Sequence, residues 1–159
     1  AYGPLINRRA LDKIVAHQDS ALEAGAQLLT GGKVVRGLTY APTVLQHTPR
    51  ECTAWCEESF GPLVSVLPAD CLDSAIALAN DSRFGLSAAV LTRDVQAAFR
   101  AARGIRSGAV HIGMHSFQSN ALAPVGGTGL SGLGRSGGHY SIEEFTELKW
   151  VSVELGAAH

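Results

Sequence analysis

Between residues 63 and 112 the chain alternates short apolar runs with stretches of helical periodicity, and this alternation restricts the fold more than any other feature. Residues 63–67, 87–91 and 109–112 are too short for helices and too apolar for exposed strands. Between the first two, Asp70 is placed to cap a helix whose apolar face is Leu72, Ala75, Ile76 and Ala79. Between the second and third, Thr92 or Asp94 starts a helix that uses Val95, Ala98, Phe99 and Ala102. Residues 80–85 and 104–108 turn the chain. Strand, helix, strand, helix, strand with continuous apolar strands predicts parallel pairing through right-handed crossovers. The fold class is therefore α/β, a mostly parallel sheet with crossover helices.

The flanks are less regular. Leu11, Ile14, Val15, Leu22 and Ala26 recur near helical spacing, with Asn7 as N-cap and Gly25 as stop, and His17 reads as helix surface. Gly31-Gly32 marks a turn. Residues 38–45 read as extended, with Pro42 confining them to an edge or a break. Residues 113–141 form a long glycine-rich loop, a length that in a compact domain usually serves function. A short helix over 141–146 follows, and residues 148–155 alternate like a half-buried strand that needs a partner.

Composition excludes several classes. The chain has 159 residues, and its 13 basic and 14 acidic side chains leave a net charge of −1, which argues against a nucleic-acid or anionic-membrane partner. No apolar stretch approaches membrane-spanning length. Cys52, Cys56 and Cys71 are odd in number and lack paired spacing, so they predict neither a disulfide framework nor a metal site, but inert, partly buried thiols in a reducing compartment. His111 and His115 are four apart, but the first falls on a strand and the second in a loop, so they share no face for a metal. The chain opens without Met, basic stretch or apolar signal core, as the interior of a longer protein would.

Two motifs carry chemistry. Glu57-Glu58-Ser59-Phe60-Gly61-Pro62 stands directly before the first apolar strand. A carboxylate accepts hydrogen bonds and can hold two vicinal hydroxyls, while a ring can lie against a flat heterocycle. Downstream, Pro124-Val125-Gly126-Gly127 and the glycine-rich residues 131–138 form a second signature. Residues 127–132 also fit Gly-x-Gly-x-x-Gly, but a loop precedes them where a dinucleotide fingerprint needs a strand.

In this order, and together with Gly3-Pro4-Leu5-Ile6-Asn7, residues 24–26, Gly31-Gly32, residues 42–45, 78–81 and 85–88, these motifs resemble the aldehyde dehydrogenase superfamily over residues 3–153, and only its closing portion. The resemblance implies that Glu58 binds the nicotinamide ribose hydroxyls of NAD or NADP, NAD being favoured, and that Phe60 lies beside the nicotinamide ring. Glu57, pointing the other way along an extended backbone, reads as structural, and the resemblance puts Val125 in the substrate wall. It also implies the reaction: a Cys thiolate attacks the aldehyde, hydride passes to the nicotinamide, and water activated by a Glu releases the acid. In the family that Cys, the general-base Glu and the dinucleotide-binding domain lie upstream of Gly3. No catalytic residue is therefore assigned here, and the chain alone is expected to be inactive without the remainder of the parent chain. Residues 1–146 correspond to part of the catalytic domain and 147–159 to an oligomerisation strand and tail, implying a homo-oligomer in the cytoplasm.

Two departures bear on substrate. Val125 stands where the family often has Phe, and Gly129 where it often has Lys. With Val110-His111-Ile112 and residues 144–151, they resemble the benzaldehyde-type aryl aldehyde dehydrogenases, although Gly113 replaces their usual Asn. The substrate implied is a hydrophobic, benzaldehyde-like aldehyde. A semialdehyde dehydrogenase of the same superfamily and a non-catalytic α/β binding module are the alternatives.

Overall fold

The computed structural model describes residues 2–118 and 120–154, in two compact units, Ala1–Leu78 and Ala79–His159. The first opens with helix α1, Arg8–Glu23. Asn7 Oδ1 accepts from the Ala10 amide at 2.9 Å, satisfying one of the first-turn N–H groups. The helix stops where Gly25 takes φ +103°, with Ala26 N–H bonded to Ala21 O and Gly25 N–H to Leu22 O, a Schellman closure. Leu11, Ile14, His17, Gln18 and Ala21 line its buried face.

Strands β1 (Gln27–Thr30), β4 (Thr43–Gln46) and β5 (Leu63–Val66) form a sheet in the order β1-β4-β5. β1 pairs antiparallel with β4, and β4 pairs parallel with β5 from Thr43 opposite Leu63. Between β1 and β4, β2 (Val34–Arg36) and β3 (Thr39–Tyr40) make an antiparallel ribbon, and Pro42 breaks β3 from β4. Two apolar clusters tie sheet to helix. Leu11, Ile14 and Tyr40 form one; Ala21, Leu45, Cys52 and Ala54 belong to the other, and Leu63 packs against both. Short helix α2, Thr53–Cys56, is anchored by its first amide, which donates to Ser20 Oγ of α1.

Helix α3 runs Leu72–Asn80. Its N-terminal bond is Ala75 N–H to Cys71 O, and Ser74 Oγ bonds back to the Cys71 backbone. The cap is therefore Cys71, and not Asp70 as the sequence suggests, because the hydroxyl of Ser74 serves the turn that the Asp carboxylate was expected to serve.

In the second unit, β7 (Ser87–Val90), α4 (Val95–Gly104) and β8 (Ala109–Ile112) form one of the two expected crossovers, with β7 parallel to β8 from Ser87 opposite Ala109. β5 instead takes β4 as its ladder partner, so the other expected pairing, and with it the mostly parallel sheet, is not found among the described residues. Asp94 caps α4, its Oδ1 accepting from Gln96 and Ala97 N–H. Ala98 and Ala101 are buried, whereas Val95 and Phe99 of the predicted face stay more than half exposed. Asn80 locks the helix ends together: its Nδ2 donates to Gly104 O, and its Oδ1 accepts from Arg106 N–H.

β6 (Phe84–Gly85) pairs antiparallel with β9 (Thr128–Gly129) inside the glycine-rich loop. Helix α5, His139–Glu144, begins two residues before the expected start. The predicted terminal strand does not form among the described residues. Residues 148–154 join no ladder, Trp150 is 92% exposed, and Leu155 lies outside the described part. Alternation supplies side chains for two faces, but a strand exists only against a partner edge, and no described strand offers one here.

Candidate functional site

The Glu57–Pro62 turn is seated on one turn of α1. Gly61 lies so close to Ile14 that a Cβ there would overlap the Ile14 side chain. Lys13 Nζ donates to the Glu58 carbonyl at 2.6 Å and lies 3.7 Å from the Glu57 carboxylate. His17 Nε2 is 3.4 Å from the same Glu57 carboxylate. Beyond the turn, Thr43 N–H donates to Pro62 O at the head of the β4–β5 ladder.

These contacts separate two adjacent acids. Glu57 is extended, with φ −123° and ψ 154°, and its carboxylate faces α1. Successive side chains of an extended backbone point opposite ways. Glu58 is exposed, and its carboxylate makes no ion pair or hydrogen bond with the described residues. Two residues on, Phe60 holds φ +50° and is 82% exposed. A bulky residue in the left-handed region costs about 1–2 kcal/mol, and burial of the ring does not offset it here. An exposed, strained aromatic beside an unpaired carboxylate is an arrangement suited to binding, and the donor set fits a nicotinamide riboside: an acceptor-only group for two vicinal hydroxyls and a flat face for a heterocycle.

Burial lowers the pKa of His17 below its usual value, with Lys13 adding to the effect; the hydrogen bond to Glu57 and its charge oppose it. The ring is therefore held towards its neutral form. His17 is 3% exposed, which corrects the helix-surface expectation. Leu11, Ile14 and Ala21 already put position 17 or 18 on the inward face, and that spacing was the signal for it.

In the second unit, a cavity of about 230 Å³ is lined by Leu86, His111, Phe117, Pro124, Val125 and neighbouring residues. Val125 is fixed by paired backbone bonds to Ser136, 2.7 and 2.8 Å long. Arg135 staples the loop from within, its Nη1 donating to Gly127 O and Gly134 O, while Glu144 accepts from Arg135 N–H. Gly129 has φ +60°, and a Cβ there would overlap Arg83 O, so this backbone disfavours any side chain at that position. Residues 127–132 form a strand and turn, with Ser131 N–H bonded to Thr128 O.

The thiols differ from one another. Cys52 is buried and donates to Pro49 O. Cys56 and Cys71 are exposed, which corrects the partly buried expectation for them. Hydrogen bonds from the Ser74 backbone and hydroxyl and the Asp73 backbone hold the Cys71 thiol below its usual pKa. His111 lies on β8 and His115 in the following loop.

Residues 1–151 match the model of the Aldehyde dehydrogenase family, and the chain belongs to that family. It is 40% identical over 157 residues to a vanillin dehydrogenase of Pseudomonas fluorescens, covering 99% of this chain and 32% of that protein. It is 37% identical over 153 residues to a glutarate-semialdehyde dehydrogenase of Pseudomonas putida, covering 96% of this chain and 32% of that protein. Among solved structures it resembles a salicylaldehyde dehydrogenase from Pseudomonas putida G7 complexed with salicylaldehyde, with a TM-score of 0.90 and 36% identity over 99% of this chain and 32% of that one. The chain thus spans about a third of the length of the curated relatives it matches.

Proposed function

We propose that this chain is the cofactor-ribose and substrate-wall portion of an NAD(P)-dependent aldehyde dehydrogenase, NAD being favoured, that oxidises a hydrophobic, benzaldehyde-like aldehyde to its acid. The observation that carries the reading is the split between Glu57 and Glu58: one carboxylate held on α1, its neighbour unpaired beside an exposed Phe60. Glu58 would accept from both ribose hydroxyls, and Phe60 would limit the tilt of the nicotinamide. The nicotinamide, when bound, supplies the hydride acceptor. Val125, in place of a larger aromatic, widens the apolar cavity of the second unit for a ring. A vanillin dehydrogenase and a salicylaldehyde dehydrogenase among the similar proteins support an aromatic substrate; the glutarate-semialdehyde dehydrogenase favours a semialdehyde as the second reading.

The same proposal makes residues 1–146 part of a catalytic domain and 147–159 an oligomerisation tail, in a cytoplasmic homo-oligomer. The nucleophile and general base belong to the remainder of the parent chain, so the 159-residue chain alone does not turn over. The test is steady-state oxidation of benzaldehyde and of succinic semialdehyde by the complete gene product with NAD and NADP, beside the isolated chain. A higher kcat/KM for benzaldehyde with NAD is expected. Preference for the semialdehyde installs the second reading, and enzyme-like turnover by the isolated chain overturns the division of labour.

A further inference from the structure

We propose that His17 is a positioning residue for the cofactor: by donating from Nε2 to Glu57 it fixes the backbone that presents Glu58. The inference rests on the ribose-binding reading of Glu58 and adds to it a buried residue that touches neither cofactor nor substrate.

Geometry assigns the proton. The His17 ring is buried, Nε2 is 3.4 Å from the Glu57 carboxylate, and Nδ1 is buried with no hydrogen-bond partner among the described residues. A neutral imidazole has one donor and one acceptor nitrogen. With the hydrogen on Nε2 the ring donates to Glu57 and leaves only a lone pair unmet at Nδ1. Moving that hydrogen to Nδ1 would bury an unpaired donor and set the Nε2 lone pair against the Glu57 carboxylate.

The consequence reaches Glu58 through the backbone. Lys13, Ile14 and His17 lie on one face of α1 and touch Glu58 O, Gly61 and Glu57 respectively. Three points along five residues leave the turn little freedom, and Phe60 between them takes the left-handed conformation. Because Glu57 is extended, anchoring its side chain on α1 sends the Glu58 side chain away from it. Lys13 and Glu57 form a half-exposed pair, which contributes little by itself. The contact with His17, whose ring is buried, is what determines which of the two carboxylates turns toward α1.

The test uses the complete gene product, with NADH binding followed by fluorescence titration and folding by thermal unfolding. His17→Gln places an amide nitrogen near the position of Nε2, and His17→Asn places one near Nδ1. Both bury a polar amide, so a merely structural role treats them alike. The expected result is NADH binding roughly tenfold weaker in His17→Asn and within about threefold of the parent in His17→Gln. In a Glu57→Ala background the difference between the two should vanish. Equal affinities for the two variants, or a difference that persists without Glu57, overturn the proposal. If His17→Asn does not fold, Glu57→Ala alone decides: it should weaken NADH binding while the variant still unfolds cooperatively above the assay temperature, and unchanged binding overturns the proposal. Glu58→Gln separates the two levels. If it leaves NADH affinity intact, the ribose-binding reading fails and the inference falls with it. If it weakens binding while the His17 variants behave alike, only the positioning role is lost.

Discussion

The His17 imidazole and the Glu57 carboxylate meet at 3.4 Å across the packing of α1 against the turn before β5, and this contact makes two neighbouring glutamates unlike. The half-exposed Glu57 carboxylate is held against α1 by Lys13 and His17, whereas the exposed Glu58 carboxylate has no partner among the described residues. Paired carboxylates in sequence thus separate into one held against α1 and one left exposed.

Replacement of each acid by its amide should expose that difference. A hydrogen bond to a charged group contributes about 1.5–3 kcal/mol, so Glu58→Gln should lower turnover or cofactor affinity roughly 10- to 150-fold. Glu57→Gln keeps an oxygen that can accept from His17 and should be much milder. Steady-state kinetics of both variants in the complete gene product provide the check. Equal losses would refute the assignment of roles.

Phe60 should show a conflict between stability and binding. Its φ of +50° is costly for an aromatic residue, and its ring is mostly exposed. Asn tolerates the left-handed region, so Phe60→Asn should raise stability by about 0.5–1 kcal/mol while weakening nicotinamide binding. Chemical denaturation and NADH titration on the same variant measure both. A loss of stability would mean that the ring packs in solution.

His17 should make the fold sensitive to acid. Its folded pKa lies below the unfolded value of about 6.5, because burial disfavours the charged ring. Above that pH both states are neutral and its contribution is fully present. As pH falls below it, the unfolded chain takes up the proton first, and stability drops until the folded pKa is passed. Thermal unfolding from about pH 7 to about pH 5 should show this loss, and His17→Gln should reduce it. Parallel pH profiles for the two proteins would exclude His17 as the source.

Much of this fold was legible because local signals agreed. Asn7, Gly25 and Asp94 punctuate helices at the positions their chemistry predicts, and two apolar runs with a helix between them gave the parallel β7–β8 pair. The site was legible only in outline. Glu58 and Phe60 are candidates from a motif, but the contacts that seat their turn lie on α1, with Lys13 standing 45 residues from the backbone it holds. Such long-range contacts leave no mark in local periodicity. The α3 cap was misplaced by one residue because Ser74 competes with Asp70 for the same task.

The glycine loop offers a backbone test. Gly129→Lys restores the residue that resembling sequences often carry, but φ +60° and the neighbouring Arg83 carbonyl oppose any side chain. The left-handed conformation alone should cost about 1–2 kcal/mol, so Tm should fall. The β6–β9 pair is the element that must give way, and hydrogen exchange at Leu130 N–H, bonded to Arg83 O, should accelerate. An unchanged Tm with unchanged exchange would mean that the loop adapts at no cost.

The stretch beginning at Leu148 carries the last expectation. Trp150, Val151 and Val153 are mostly exposed, and residues 148–154 pair with no described strand. Alternating apolar side chains with unsatisfied backbone groups form an association surface. In an oligomer, a neighbouring copy would supply the edge that the described residues of this chain do not provide. Deletion of residues 149–159 from the complete gene product should therefore reduce its mass in multi-angle light scattering and lower its Tm. The isolated chain, with the same stretch intact, should self-associate as its concentration rises. A folded deletion variant that keeps its full oligomeric mass would show that the stretch pairs within its own parent chain.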